Sequence, residues 1–97
     1  MGDLIPENRW VWVVVQDPGN NEQLLGQKDE SKDISFIPAF LEKEDAIQGL
    51  GLLAREKGHK YEVQAIHYED LAPKAAADGF FVFILNASGE VLEEIKP

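Results

Sequence analysis

Apolar and polar positions alternate with two different periods along this chain, and each switch of period marks an element. Trp10-Val11-Trp12-Val13-Val14-Val15-Gln16 is dense in β-branched and aromatic residues and closes on Asp17-Pro18-Gly19-Asn20, which predicts a strand running into a tight turn. Residues 21–27 carry Leu24 and Leu25 among weak strand formers, and the pattern leaves open whether they pair back as a second strand. Lys28 to Asp33 is entirely polar and charged, so 28–33 is expected to be an exposed loop. Ile34, Phe36, Pro38 and Phe40 share one parity, as in a strand. Pro38, however, lacks the amide hydrogen a central ladder uses, so this strand is expected to be short or to end at an edge.

From Leu41 the period lengthens. Ala46, Ile47, Leu50, Leu53 and Ala54 recur at spacings of three and four, predicting a helix over Leu41 to Lys57. Glu42, Glu44 and Asp45 lie at its start, Arg55 and Lys57 at its end, and Gly58 follows as a left-handed stop. Gly49 and Gly51 inside it are each disfavoured by about 1 kcal/mol relative to alanine, which close approach to a sheet would explain. Tyr61, Val63, Ala65 and His67 then alternate with Glu62, Gln64 and Ile66, the mark of a half-buried strand. Glu69 to Ala77 predicts a short second helix ending near Asp78-Gly79, with Pro73 tolerable only in its first turn. Phe80 to Leu85 is apolar at every position, Asn86-Ala87-Ser88-Gly89 turns the chain, and Glu90 to Ile95 completes a C-terminal hairpin.

The order β-(β)-β-α-β-α-β-β predicts an α+β fold, an α/β sandwich with a mixed sheet of about five strands and two helices. Ninety-seven residues make one domain, 1–97, with a flexible N-terminus over residues 1–8. Trp10 to Val15 and Phe80 to Leu85 are apolar on both faces and belong in the middle of the sheet. Two helices, one of them short, are expected to leave part of that apolar surface uncovered.

Composition narrows the partners. Eighteen acidic against nine basic residues give a net charge of -9, which repels nucleic acid and anionic membranes. The absence of cysteine excludes disulfide scaffolds, thiol nucleophiles and iron-sulfur clusters. The N-terminal residues show no signal-peptide pattern, and the longest apolar run is far short of the roughly 20 residues of a membrane span, so a cytoplasmic protein is expected. Phosphate-loop, nucleophile-elbow, zincin and EF-hand patterns are missing, and no cofactor is implied. Gly49-Leu50-Gly51 lies within a helical stripe rather than at a strand-to-helix turn, and Asn86-Ala87-Ser88 reads as a hairpin turn rather than a glycosylation site.

Two sets of residues remain as candidates. Trp10 and Trp12 are the natural anchors if uncovered sheet surface docks a protein partner or a second copy. His67-Tyr68-Glu69-Asp70 gathers an imidazole and two carboxylates where a strand meets a helix. That spacing could hold a divalent metal or small ligand, or run a proton transfer, but the favoured reading is structural, with Glu69 or Asp70 capping the helix start and His67 continuing the strand half exposed. His59 is expected to be a surface residue near a helix C-terminus.

The run Phe36-Ile37-Pro38-Ala39-Phe40 before an acidic-start helix with Ala46, then Tyr68 to Leu71, then Gly79 to Asn86 with Gly89 and Glu94-Ile95, resembles the SseB-type N-terminal domain. The likeness extends over about Trp10 to Ile95. The sequence departs from that pattern in having Asn-Ala-Ser-Gly where Asn-Pro-Gly is common, and in lacking the extra N-terminal helical region and C-terminal domain. The resemblance implies an α/β domain of bacterial type without an established catalytic centre, so it assigns no active-site residue. The expectation is therefore a non-catalytic interaction or regulatory module, the alternative being a ligand- or metal-binding domain, possibly enzymatic, around His67, Glu69 and Asp70.

Overall fold

The computed structural model describes residues 9–97; the N-terminal segment 1–8, expected to be flexible, lies outside the described residues. The elements are β1 (Trp10–Gln16), β2 (Gln23–Leu24), β3 (Gln27–Asp29), β4 (Ile34–Phe40), α1 (Lys43–Leu50), β5 (Tyr61–His67), α2 (Tyr68–Ala77), β6 (Phe81–Leu85) and β7 (Val91–Ile95). Among the described residues this is an α+β fold with a mixed sheet of seven strands and two helices. Five strands run across it in the order β5-β1-β4-β6-β7, with β4 parallel to β6 and the other neighbours antiparallel. Among the described residues no helix is long and apolar enough to cross a membrane.

Both apolar strands are interior, as their composition demands. Val11, Val13 and Val15 turn to one face, where Leu71 and Ala75 of α2 meet them together with Ile37, Ala39, Val82 and Ile84. Phe40, Phe83 and Leu85 turn to the other, where Ala46 of α1 packs among them and Trp12, Phe36 and Val63 close in. The helices thus take opposite faces. Val11, Val13, Val14, Val82, Phe83 and Ile84 are at most 2% exposed, each such side chain contributing about 1.5–3 kcal/mol of burial. The expected uncovered sheet face is therefore corrected: two helices seal the middle of the sheet within one protomer, and the large apolar groups that reach solvent among the described residues are Trp10 on β1, Ile47 and Leu52 on α1 and the turn after it, and Val91 and Leu92 on β7.

Within that frame the sheet forks. β1 pairs with β4 at Trp12↔Phe40 and Val13↔Ala39, then leaves it to pair with β2 at Val15↔Leu24 and Gln16↔Gln23. β4 in turn pairs with β3 over Gln27↔Phe36 to Asp29↔Ile34. Residues 23–29 form a bent wedge between two diverging strands, with Leu25 buried at its tip and the Leu25 N–H donating to the Val14 carbonyl at 2.8 Å. Gly26 makes the bend possible against the Phe80 ring, because a Cβ there would come within 2.6 Å of Cε2. The wedge answers the question left open over 21–27. It also corrects the loop expected over 28–33, since Lys28 and Asp29 belong to β3 and the turn proper is folded by Asp29, whose Oδ1 accepts from the Ser31 N–H and hydroxyl.

The fork explains Pro38 as well. The Tyr68 N–H donates to the Arg9 carbonyl and the Asp17 N–H to the Lys60 carbonyl, so even-numbered residues of β5 face β1. Odd-numbered residues of β1 then face β5, and even-numbered ones, Trp12 and Val14 among them, face β4 and the wedge. Phe40 opposite Trp12 faces β1, and Pro38, two residues back, looks toward the fork where neither β1 nor β3 pairs with it. Its missing donor costs no ladder bond. The strand expected to be short or at an edge is thus seven residues long and interior.

Both helices depart from expectation at identifiable residues. α1 covers Lys43–Leu50, not Leu41 to Lys57. Tighter bonds from Leu52 N–H to Gly49 O and from Leu53 N–H to Leu50 O close its last turn. The backbone of Ala54 is taken by the Gln27 amide, which both accepts from its N–H and donates to its carbonyl at 2.9 Å. Arg55, Lys57 and Gly58 consequently fall in a loop, and Ile47 is left half exposed. α2 begins at Tyr68, which puts Pro73 beyond the first turn; the proline is exposed, and burial of Leu71 and Ala75 anchors the helix around it. His67, rather than Glu69 or Asp70, is the N-cap residue, without a side-chain capping bond. The β6–β7 turn is built by Asn86, whose Oδ1 accepts from the N–H groups of Ser88 and Glu90, with Gly89 at φ 82°.

Candidate functional site

The two candidate sets from the sequence meet at one place, the rim where β5 borders β1. Trp10 lies opposite His67 in the pairing, and their rings meet edge to face with centroids 3.9 Å apart. Trp12, two residues along, is half-buried under the ammonium of Lys43, 5.7 Å from its ring. Alternation puts Trp10, Trp12, Ala65 and His67 on the side of the sheet that carries α1. Of the large apolar side chains on β1 and β5, Trp10, at 54% exposure, is the one that packing leaves open.

His67 continues into α2, and its Nδ1 lies 3.5 Å from Glu69 Oε1. Asp70 sits in the same first turn, exposed. Both carboxylates are well placed against the positive end of the helix dipole. Among the described residues no group of three or more histidine, aspartate or glutamate side chains is gathered to hold a metal ion, so His67, Glu69 and Asp70 do not assemble as ligands. Clefts of about 670 Å³ lie over the wedge and beside β7, and none of these five candidate residues lines them.

Among the described residues β5 pairs with β1 alone and is an edge strand, so the half-buried reading of Tyr61 to His67 needs adjusting. None of its residues is fully buried, and Ala65 and Glu62 are exposed. With its even-numbered residues bonded to β1, the backbone groups of Tyr61, Val63, Ala65 and His67 point outward from the sheet. No residue pattern signals this, because sheet order depends on long-range pairing.

The pairing between Asp17 and His59 was also missed. Asp17, in the left-handed region at φ 53°, donates its N–H to the Lys60 carbonyl at 2.7 Å. Its carboxylate accepts from the Lys60 N–H at 3.1 Å and lies 2.7 Å from His59 Nδ1. The turn after β1 is so fastened to the chain entering β5. The His59 bond and then the Lys60 amide hold the Asp17 carboxyl below its ordinary value. His59 is therefore a tether between loops, away from any helix end. On the other helix, burial followed by the charge of Glu93 pushes the Tyr68 hydroxyl upward.

No family model, no curated protein and no solved structure matches this chain.

Proposed function

We propose that this chain is a non-catalytic protein-interaction or regulatory module of a bacterial, cytoplasmic type, acting through the rim formed by β1 and β5. The observation that carries the reading is Trp10: a tryptophan at the end of an interior strand, 54% exposed, beside a strand with an open edge. Tryptophan held in place by its own strand is a strong anchor, since it brings a large contact area with little side-chain freedom left to lose. The resemblance to the SseB-type N-terminal domain, a domain without an established catalytic centre, points the same way. The partner is a protein, including a second copy of the chain; the net charge of -9 argues against nucleic acid and anionic membrane.

Light scattering over a range of concentrations, on the native chain and on Trp10→Ser and Trp12→Ser, tests the reading. Association that Trp10→Ser weakens supports it. A monomer indifferent to either substitution counts against self-association through this rim. An NMR titration with divalent ions separates the alternative, because shifts confined to residues 67–70 would favour a ligand site at His67, Glu69 and Asp70.

A further inference from the structure

The outer N–H and C=O groups of an edge strand form a template for any strand that approaches, and proteins usually guard such edges. The two edges of this sheet are guarded differently. β7 carries the adjacent carboxylates Glu93 and Glu94, a register break where it passes Ile84 and Leu85, and Pro97 two residues beyond its end. Self-pairing about its centre would set Glu93 against its own copy, and like charges directly opposed are destabilising. β5 has none of these devices. It runs in unbroken register with β1 over seven residues, contains no proline, and has Glu62 as its one carboxylate.

We propose that β5 pairs with β5 of a second copy of this chain, antiparallel about a two-fold axis through Gln64, making one sheet continuous across two protomers. The inference rests on the reading of this rim as an association surface. In this register Tyr61 opposes His67 of the second copy and Val63 opposes Ala65, so the outward backbone groups meet as hydrogen-bonded pairs. Glu62 opposes Ile66, and Gln64 meets Gln64. No charge faces a like charge within the strand.

Charge beyond the strand fixes the same orientation. Exposed Lys57 and Lys60 precede β5, with Glu56 immediately before Lys57, whereas exposed Glu69 and Asp70 follow it. Antiparallel pairing brings the lysine end of one copy beside the carboxylate end of the other; parallel pairing would bring like ends together. The row of side chains Trp10, His67 then continues into Tyr61 of the second copy, which extends contact toward the open indole.

The chain has no cysteine, so a single introduced thiol reads the register directly. Gln64→Cys would meet its own copy at a non-hydrogen-bonded position, whereas Glu62→Cys would face Ile66. We expect sedimentation equilibrium to give a dimer with micromolar affinity at physiological salt. Under mild oxidation Gln64→Cys should cross-link at least about tenfold faster than Glu62→Cys, as high effective concentration requires. Ala65→Pro removes an outward N–H and should give a folded monomer; the thiol pair keeps the test alive if that variant fails to fold. A native chain that stays monomeric, with both thiols cross-linking equally slowly, overturns the proposal. A dimer abolished by Trp10→Ser yet showing no preference for Gln64→Cys also overturns it, while leaving the reading of the rim intact.

Discussion

Replacing Gly49 with alanine sets helix propensity against packing, and the structure decides the sign. Gly49 is buried near the end of α1, and a Cβ built on it falls 2.5 Å from Cε2 and 2.6 Å from Cζ of Phe40. Carbon atoms in contact need about 3.5–4.0 Å, so ring or helix must retreat by about 1 Å. Phe40 is fully buried and packs with Ala46, Phe83 and Leu85, which leaves its ring no room to swing away. Propensity favours alanine by about 1 kcal/mol; overpacking costs about 1–3 kcal/mol. The net expectation is a loss of about 1 kcal/mol, or roughly 4–8 °C in Tm for a domain of this size. Thermal and urea unfolding followed by circular dichroism would measure it. Gly51→Ala is the control: at φ -65° its Cβ would meet only the Gln48 carbonyl at 3.6 Å, so it should stabilise by about 0.4–1 kcal/mol. In a Phe40→Leu background, without the Cε and Cζ atoms, Gly49→Ala should turn neutral or favourable, a coupling of about 1–2 kcal/mol. A Tm raised by Gly49→Ala in the native background would refute close approach as the reason glycine stands there.

Further substitutions probe the other departures from simple sequence rules. Pro73→Ala restores the bond from residue 73 to the Glu69 carbonyl on an exposed side of α2 and should stabilise by up to about 3 kcal/mol in urea unfolding. Pro38→Ala should instead destabilise by about 1–3 kcal/mol, because it adds a buried N–H that faces the fork without a ladder partner; unchanged stability would mean that the wedge supplies an acceptor. The folded-state pKa of Asp17 is depressed below 3.8, so its tether stabilises fully above that value and is lost as pH falls through the folded value. Asp17→Asn keeps a residue suited to the left-handed backbone and should lower stability at neutral pH but flatten its fall in acid; a Tm profile parallel to the native one down to about pH 2 would contradict the linkage.

What the residues disclosed in advance was local. Trp10 to Gln16 and Phe81 to Leu85 are legible because two-sided burial writes an uninterrupted apolar run, and Gly49 signalled a close approach by its mere presence in a helix. What escaped reading was decided by groups distant in sequence. The Gln27 amide captures Ala54 and helps end α1 early, although the apolar stripe through Leu53 and Ala54 continues. Pro38 looked like an edge residue because the proline rule assumes an unbroken neighbour on each side, and the fork breaks that assumption. At the rim, Trp10 and His67 were each identifiable, but only the pairing of β1 with β5 reveals that they touch. The open edge carries no residue signature, since the same alternation would serve an interior strand.

The wedge between β1 and β4 also gives neighbouring amides different masters. Val15 answers to β5, whereas Gln16 answers to the short inserted segment, whose own Leu25 amide is held by the Val14 carbonyl. Should that segment lift on its own, deuterium would enter at Leu25 and Gln16 while Val13 and Val15 kept their protons. An every-other-residue labelling pattern along β1 would be the trace of a sheet that opens from within before it melts from its margins.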